Sequence, residues 1–161
     1  MRTRSRAAPG TPYAVGPLDA QAVERAFALV RPATTHLDLE RWRAFCARRD
    51  PAGRDMRLLC ARDESRTVRG LSGARALVHR RRGPILSCSL LVVASPLDPT
   101  GVAEALVNAL LAAARRQAHA GLLVTTRLVE PAVAGAIASR GEADGDGAVF
   151  LAAHPPDPPP R

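Results

Sequence analysis

Lysine is absent from this chain of 161 residues, and all 23 of its basic side chains are arginine. Asparagine and tyrosine occur once each, as Asn108 and Tyr13, and isoleucine only at Ile85 and Ile137. A coding sequence rich in G and C is a sufficient cause for this pattern, so the formal charge of +8 is weaker evidence for a polyanion partner than it would otherwise be. Five aromatic residues do not supply an extended stacking surface for single strands, and no zinc-finger or RNA-recognition signature is present. Nucleic acid is thereby disfavoured as a partner. No uninterrupted run of 18 apolar residues occurs, and the arginines at 2, 4 and 6 are not followed by an apolar segment of signal-peptide type. A cytoplasmic protein without a membrane partner is expected. Cys46, Cys60 and Cys88 are odd in number and lack Cys-x-x-Cys spacing, and the four histidines form no His-x₃-His pair. Neither a disulfide framework nor a metal site is expected.

What is present is a 47% apolar composition over a length that suits one core. The charge is uneven. Residues 1–82 hold 18 arginines against 8 acidic residues, and residues 83–161 hold 5 against 7. The basic half suits a phosphate-bearing cofactor, an acidic protein or nucleic acid, and equally a solvated arginine surface. Residues 1–12 read as a disordered basic arm, 13–153 as one domain, and 154–161, with five prolines in eight residues, as a disordered extended tail.

Within the domain, Tyr13–Val15 reads as a first strand. Asp19 caps a helix with Leu18 and Val23 at staple positions and Val23, Phe27 and Val30 on one face, ended by Pro32. A second helix over 38–49 turns Leu39, Trp42, Phe45 and Cys46 inward and Arg41, Arg43 and Arg48 outward. The period then changes to strands at 56–61, 68–79 and 85–94, joined by short charged turns as a meander. A long helix over 100–119 carries Glu104, Asn108, Arg115 and His119 on its solvent stripe. It leads to a strand at 122–126, a helix at 131–140 opened by Glu130-Pro131 and stopped by Gly141, and a strand at 148–152. The order β-α-α-β-β-β-α-β-α-β describes an α+β fold with a mixed, mostly antiparallel central sheet and flanking helices.

The chemistry concentrates where strand 85–94 passes through Asp98-Pro99-Thr100-Gly101 into the long helix. The first N–H groups of a helix have no intrahelical partner, and the terminus carries partial positive charge. Thr100, Gly101, Val102 and Ala103 can therefore present donors to an anion, Gly101 permitting close backbone approach. Asp98 competes for the same donors. Followed by Pro99 at the first helical position, with Leu97 and Val102 at staple positions, its carboxylate can cap Thr100 or Gly101 and would repel a phosphate.

These elements together resemble the GCN5-related N-acetyltransferase family over roughly residues 13–153. The likeness is sharpest from Leu91 through Leu106, the strand, loop and helix on which that family holds acyl-coenzyme A. Its Arg/Gln-x-x-Gly-x-Gly/Ala signature falls on Asp98-x-x-Gly101-x-Ala103, matching at the second and third positions and departing at the first. The resemblance implies acetyl-CoA as co-substrate, with Val92 and Val93 offering backbone groups to the pantetheine arm if the strand edge is splayed. It implies a small-molecule or protein amine as acceptor. The family's tyrosine acid falls on Ile137, which cannot donate a proton. Glu130, at the carboxyl end of strand 122–126, is the best-placed candidate base, with a helix cap as its simpler role. Ser89 alternates with Ser87 on the strand face opposite Leu86, Cys88 and Leu90, and is a candidate for ordering a water. His79 beside Arg80-Arg81-Arg82 reads as part of a charged turn. Three readings stay open: an acyl-CoA-dependent N-acyltransferase, a non-catalytic binding module of the same fold, and a nucleic-acid binder. A homodimer through a sheet edge is compatible with each.

Overall fold

The computed structural model describes residues 11–48, 56–145 and 147–154. Of the expected arm at 1–12 and tail at 154–161, residues 1–10 and 155–161 lie outside them, as does Arg49. Seven strands form one sheet in the order β1-β2-β3-β4-β5-β7-β6. The strands are β1 (Ala14–Pro17), β2 (Arg57–Arg62), β3 (Val68–His79), β4 (Gly83–Val93), β5 (Gly121–Thr125), β6 (Glu142–Ala143) and β7 (Ala148–Ala152). β1 to β4 are antiparallel neighbours, β4 and β5 are parallel, and β7 lies antiparallel between β5 and β6. The helices are α1 (Val23–Val30), α2 (Leu39–Ala47), α3 (Pro99–Arg116) and α4 (Pro131–Ala138). This is the expected α+β architecture with one strand more than the sequence revealed.

The two faces of the sheet carry separate cores. On one, Ala22 at the cap of α1, Ala26 and Val30 of α1 and Trp42 of α2 bury Cys60, Val68 and Leu71. On the other, Val102, Leu106 and Leu110 of α3 and Val133 and Ile137 of α4 bury Ala74, Leu86, Cys88, Leu122 and Val124. Caps fix where the helices begin. The Asp38 carboxylate accepts from the Arg41 N–H at 2.7 Å and opens α2, while Asp19 accepts from the Ala22 N–H at 2.8 Å, so that α1 starts one turn later than its cap. Gly70 brings α3 onto β3, since a β-carbon there would lie 2.6 Å from Val102 Cγ1.

Three local expectations are corrected. The long helix ends at Arg116, because Ala118 adopts φ +54°, which leaves His119 beyond the helical stripe. Gly141 is not the stop of α4, which ends at Ala138. Its missing side chain instead admits the Phe150 carbonyl oxygen of β7, 2.3 Å from where a β-carbon would stand. Leu97 is 96% exposed, so no staple forms with the fully buried Val102.

Ser72 on β3 is completely buried and its hydroxyl has no partner among the described residues. Ser72→Ala removes an unsatisfied group at nearly constant volume. It is expected to raise unfolding free energy by about 1 kcal/mol, measured by urea denaturation.

At the end of the sheet where β4 begins, Asp144 gathers His79 Nε2 at 3.6 Å, Arg81 at 3.3 Å and Arg82 Nε at 3.2 Å, and Arg82 lies over the Phe150 ring, 3.8 Å from its centroid. Burial alone would raise the Asp144 carboxyl, but the Arg82 hydrogen bond and the charges of His79, Arg81 and Arg82 hold it below the usual carboxylate range. A depressed carboxyl contributes stability above its unfolded pKa of about 4, and loses it as pH falls through the folded value. Asp144→Asn is therefore expected to destabilise at neutral pH, with the gap to wild type closing below about pH 4 in chemical unfolding.

Candidate functional site: a strand fork facing a capped helix

The site is built by a defect in β4. Across the β3–β4 pairing Ala74 faces Cys88 and the next pair is Gly73 with Leu90, so Ser89 is an extra, unpaired residue. Such a bulge bends its strand and increases twist. It also changes the expected face alternation. Leu86, Cys88 and Leu91 share the α3 core with Val93 packed against it, whereas Leu90 packs with α1 and α2. Leu90 thus sits opposite Cys88, because one inserted residue shifts a period of two.

β5 follows β4 only from Leu86↔Leu122 to Cys88↔Val124. Beyond that point β4 continues to Val93 with β3 as its partner, and β5 ends at Thr125 against Ala148 of β7. Two parallel strands thus separate at Ser89, forming a fork whose β4 edge, from Ser89 to Val93, has no strand of the described residues beside it on the β5 side. Val92 and Val93 lie on that edge, the splayed arrangement the sequence could not display. Ser89 stands exposed at the crotch. Glu130 follows β5 at the start of α4, exposed and without a side-chain cap bond, so the capping role is not the one its side chain adopts. The loops after the two prongs each carry a solvent-facing leucine, Leu97 at 96% and Leu128 at 83% exposure.

α3 starts behind this fork. Asp98 caps it as the sequence suggested, its Oδ1 accepting from the Gly101 N–H at 3.0 Å. The Val102 N–H donates to the Asp98 carbonyl at 3.3 Å, and Pro99 has no donor. Among the described residues, only the Thr100 N–H of this turn is left without a partner. The Asp98 backbone N–H in turn donates to Ser95 Oγ at 3.3 Å. A β-carbon on Gly101 would lie 2.2 Å from Asp98 Oδ2, so the space that glycine leaves is filled by the carboxylate. No arginine among the described residues forms an ion pair with Asp98.

Sequence reasoning missed one member. Tyr13 is 85 positions from Asp98, yet its hydroxyl donates to Asp98 Oδ2 at 2.9 Å. Burial, followed by this bond to a carboxylate, raises the Tyr13 phenol above its ordinary value. The available signal was that the chain's single tyrosine opens the first strand, but nothing local linked that strand to the α3 turn. Ile137, where the resemblance would put a proton donor, is a buried core residue of α4. No disulfide joins Cys46, Cys60 or Cys88 to another described residue. Burial pushes the Cys88 thiol up to about 12 and that of Cys46 up to about 11, so neither is a ready nucleophile. Among the described residues no cluster of three or more His, Cys, Asp or Glu could hold a metal ion, and no helix is long and apolar enough to cross a membrane.

No protein-family profile matches the sequence, and no curated protein matches it significantly. Solved structures do match in fold. The aminoglycoside N-acetyltransferase AAC(6')-Iy in complex with CoA superposes with a TM-score of 0.66 at 13% identity, over 82% of this chain and 88% of that one. A chain of the NatC complex bound to Gag peptide and CoA gives 0.61 at 15% identity, over 88% and 99%. The GCN5-related glucosamine N-acetyltransferase region of a fungal multi-domain GH3 beta-N-acetylglucosaminidase gives 0.56 at 18% identity, with 73% of this chain covering 14% of that much longer one. The chain has the fold of the GCN5-related N-acetyltransferases.

Against that fold, the residues fit an acyl-CoA in part. The open β4 edge fits a pantetheine arm, which needs backbone donors and acceptors in an extended groove. The α3 terminus does not fit a diphosphate as it stands, because the Asp98 carboxylate takes the Gly101 N–H, leaves the Thr100 N–H as the one open donor of the turn among the described residues, and adds negative charge.

Proposed function

We propose that this protein is an N-acyltransferase that takes an acyl group from a pantetheine thioester, acetyl-CoA being the reference donor, and passes it to an amine. The observation that carries the reading is the separation of β4 from β5 at Ser89. That fork leaves five residues of β4 edge open next to a helix terminus, in a fold whose matched structures include proteins with CoA bound. The thioester supplies an activated carbonyl. The acceptor nitrogen attacks that carbon as the C–S bond breaks, and the amine's proton passes to Glu130 directly or through a water held by Ser89. With Ile137 in place of an acid, the departing thiolate takes its proton from solvent. One matched structure is an aminoglycoside N-acetyltransferase and another is a complex bound to a peptide, and an amine of either kind is the acceptor class this reading takes.

A second reading, a non-catalytic binding module, is favoured by Asp98 occupying the space over Gly101 and by Ile137. Nucleic-acid binding gains nothing, since Arg62 pairs with Asp19 and Arg69 with Asp63, and Arg43 pairs with Glu24.

Thiol release from acetyl-CoA in the presence of a panel of small and peptidyl amines separates these readings. Release that depends on one acceptor class establishes the transferase. No amine-dependent release, with a thioester nevertheless binding, leaves the binding module.

A further inference from the structure

We propose that Tyr13 and Asp98 form a built-in occupant of the α3 terminus, which makes this site recognise thioester donors by their pantetheine arm and not by a diphosphate. The inference rests on the reading of the fork as a thioester site. It names the donor class: acyl-pantetheine thioesters, whether or not a nucleotide follows the arm.

The argument is one of occupancy and charge. Both Asp98 oxygens are engaged, Oδ1 by the Gly101 N–H at 3.0 Å and Oδ2 by the Tyr13 hydroxyl at 2.9 Å. The carboxylate stands where an anion approaching the Gly101 backbone would have to be. A lone capping aspartate on an exposed turn can rotate away at small cost. This one is tied to a buried ring immediately before β1 by a charge-assisted bond. Moving it breaks bonds to two elements, one of them the opening of the sheet. A diphosphate would meet a negative charge with which no arginine among the described residues pairs, Arg69, whose charge reaches Tyr13, being committed to Asp63. The β4 edge is untouched by any of this. Its open groups lie between Ser89 and Val93, ahead of the turn, and take a neutral amide-bearing arm without displacing Asp98.

The test is titration of the 161-residue chain, followed by calorimetry and by amide chemical shifts, with acetyl-CoA and with S-acetylpantetheine, which carries the same arm and thioester but no diphosphate. Wild type is expected to bind the two within about threefold of one another. In Asp98→Gln, and separately in Tyr13→Phe, acetyl-CoA is expected to gain about tenfold over S-acetylpantetheine, since a charge-assisted bond or the charge itself is gone. Tyr13→Phe keeps the ring and its packing, so it serves if Asp98→Gln loses the helix cap and fails to fold. A purely structural role for Tyr13 would lower stability without moving the ratio of the two affinities. A wild-type preference for acetyl-CoA above tenfold, or an unchanged ratio in both variants, overturns the proposal while leaving the thioester site in place. Failure of both ligands to bind wild type and both variants overturns the thioester reading itself.

Discussion

Glutamine at position 130 is expected to lower amine-dependent thiol release by about 10² to 10⁴-fold, the usual contribution of a positioned general base, while leaving thioester affinity within about twofold. The substitution preserves volume and hydrogen-bonding shape and removes only the ability to accept a proton. Glu130 is suited to the task by position: it ends the loop after β5, one prong of the fork, and its carboxylate is committed to no cap bond. Pro131, at the first helical position, presets φ for the opening turn of α4. A stability loss in Glu130→Gln would point to a capping role, and equal turnover would move the base elsewhere on the fork. Ser89→Ala provides the comparison. If the hydroxyl only orders a water, its removal is expected to cost about tenfold or less, well below the effect at Glu130.

Features that depend on neighbours in sequence were the ones that could be read from it. The caps at Asp38 and Asp98 each act on an N–H three residues on, and the period-two runs at β3 and β7 are bounded by turn residues, so their limits were recoverable. β6 was not, because two residues have no period. Its pairing with Val149 and Phe150 is set by a turn in which Gly145 and Gly147 take φ of +70° and +78°. The bulge at Ser89 was hidden for a related reason. Ser87, Ser89, Leu86, Cys88 and Leu90 alternate without interruption in the sequence, and only the pairing with β3 decides that one of them is extra. The site inherits this division. Its turn, glycine and capping aspartate were legible, while the fork and the Tyr13 bond arise from contacts between strands far apart in the chain.

Trp42→Ala is expected to destabilise the protein by about 3–5 kcal/mol, against a total of about 5–15 kcal/mol for a domain of this kind. Trp42 is 1% exposed and is the largest fully buried side chain. Its indole N–H donates to the Val23 carbonyl at 2.7 Å, joining α2 to the start of α1, and its ring stacks on Phe45 with centroids 5.7 Å apart. The alanine variant loses the apolar burial, leaves a cavity between the two helices and breaks their one indole bond. The effect reaches the fork, because α1 and α2 form the layer on which Leu90 packs, and Leu90 follows the bulge residue directly. Loosening that layer exposes the β4 face beside Ser89, so thioester binding should weaken along with folding. Trp42→Phe separates the contributions. It keeps an aromatic ring against Phe45 and loses the hydrogen bond, with an expected cost of about 1–2 kcal/mol. Urea denaturation measures both variants. A loss below about 1 kcal/mol for Trp42→Ala would mean that α1 and α2 collapse onto the sheet without the indole, and that the cover of the fork is more plastic than its packing indicates.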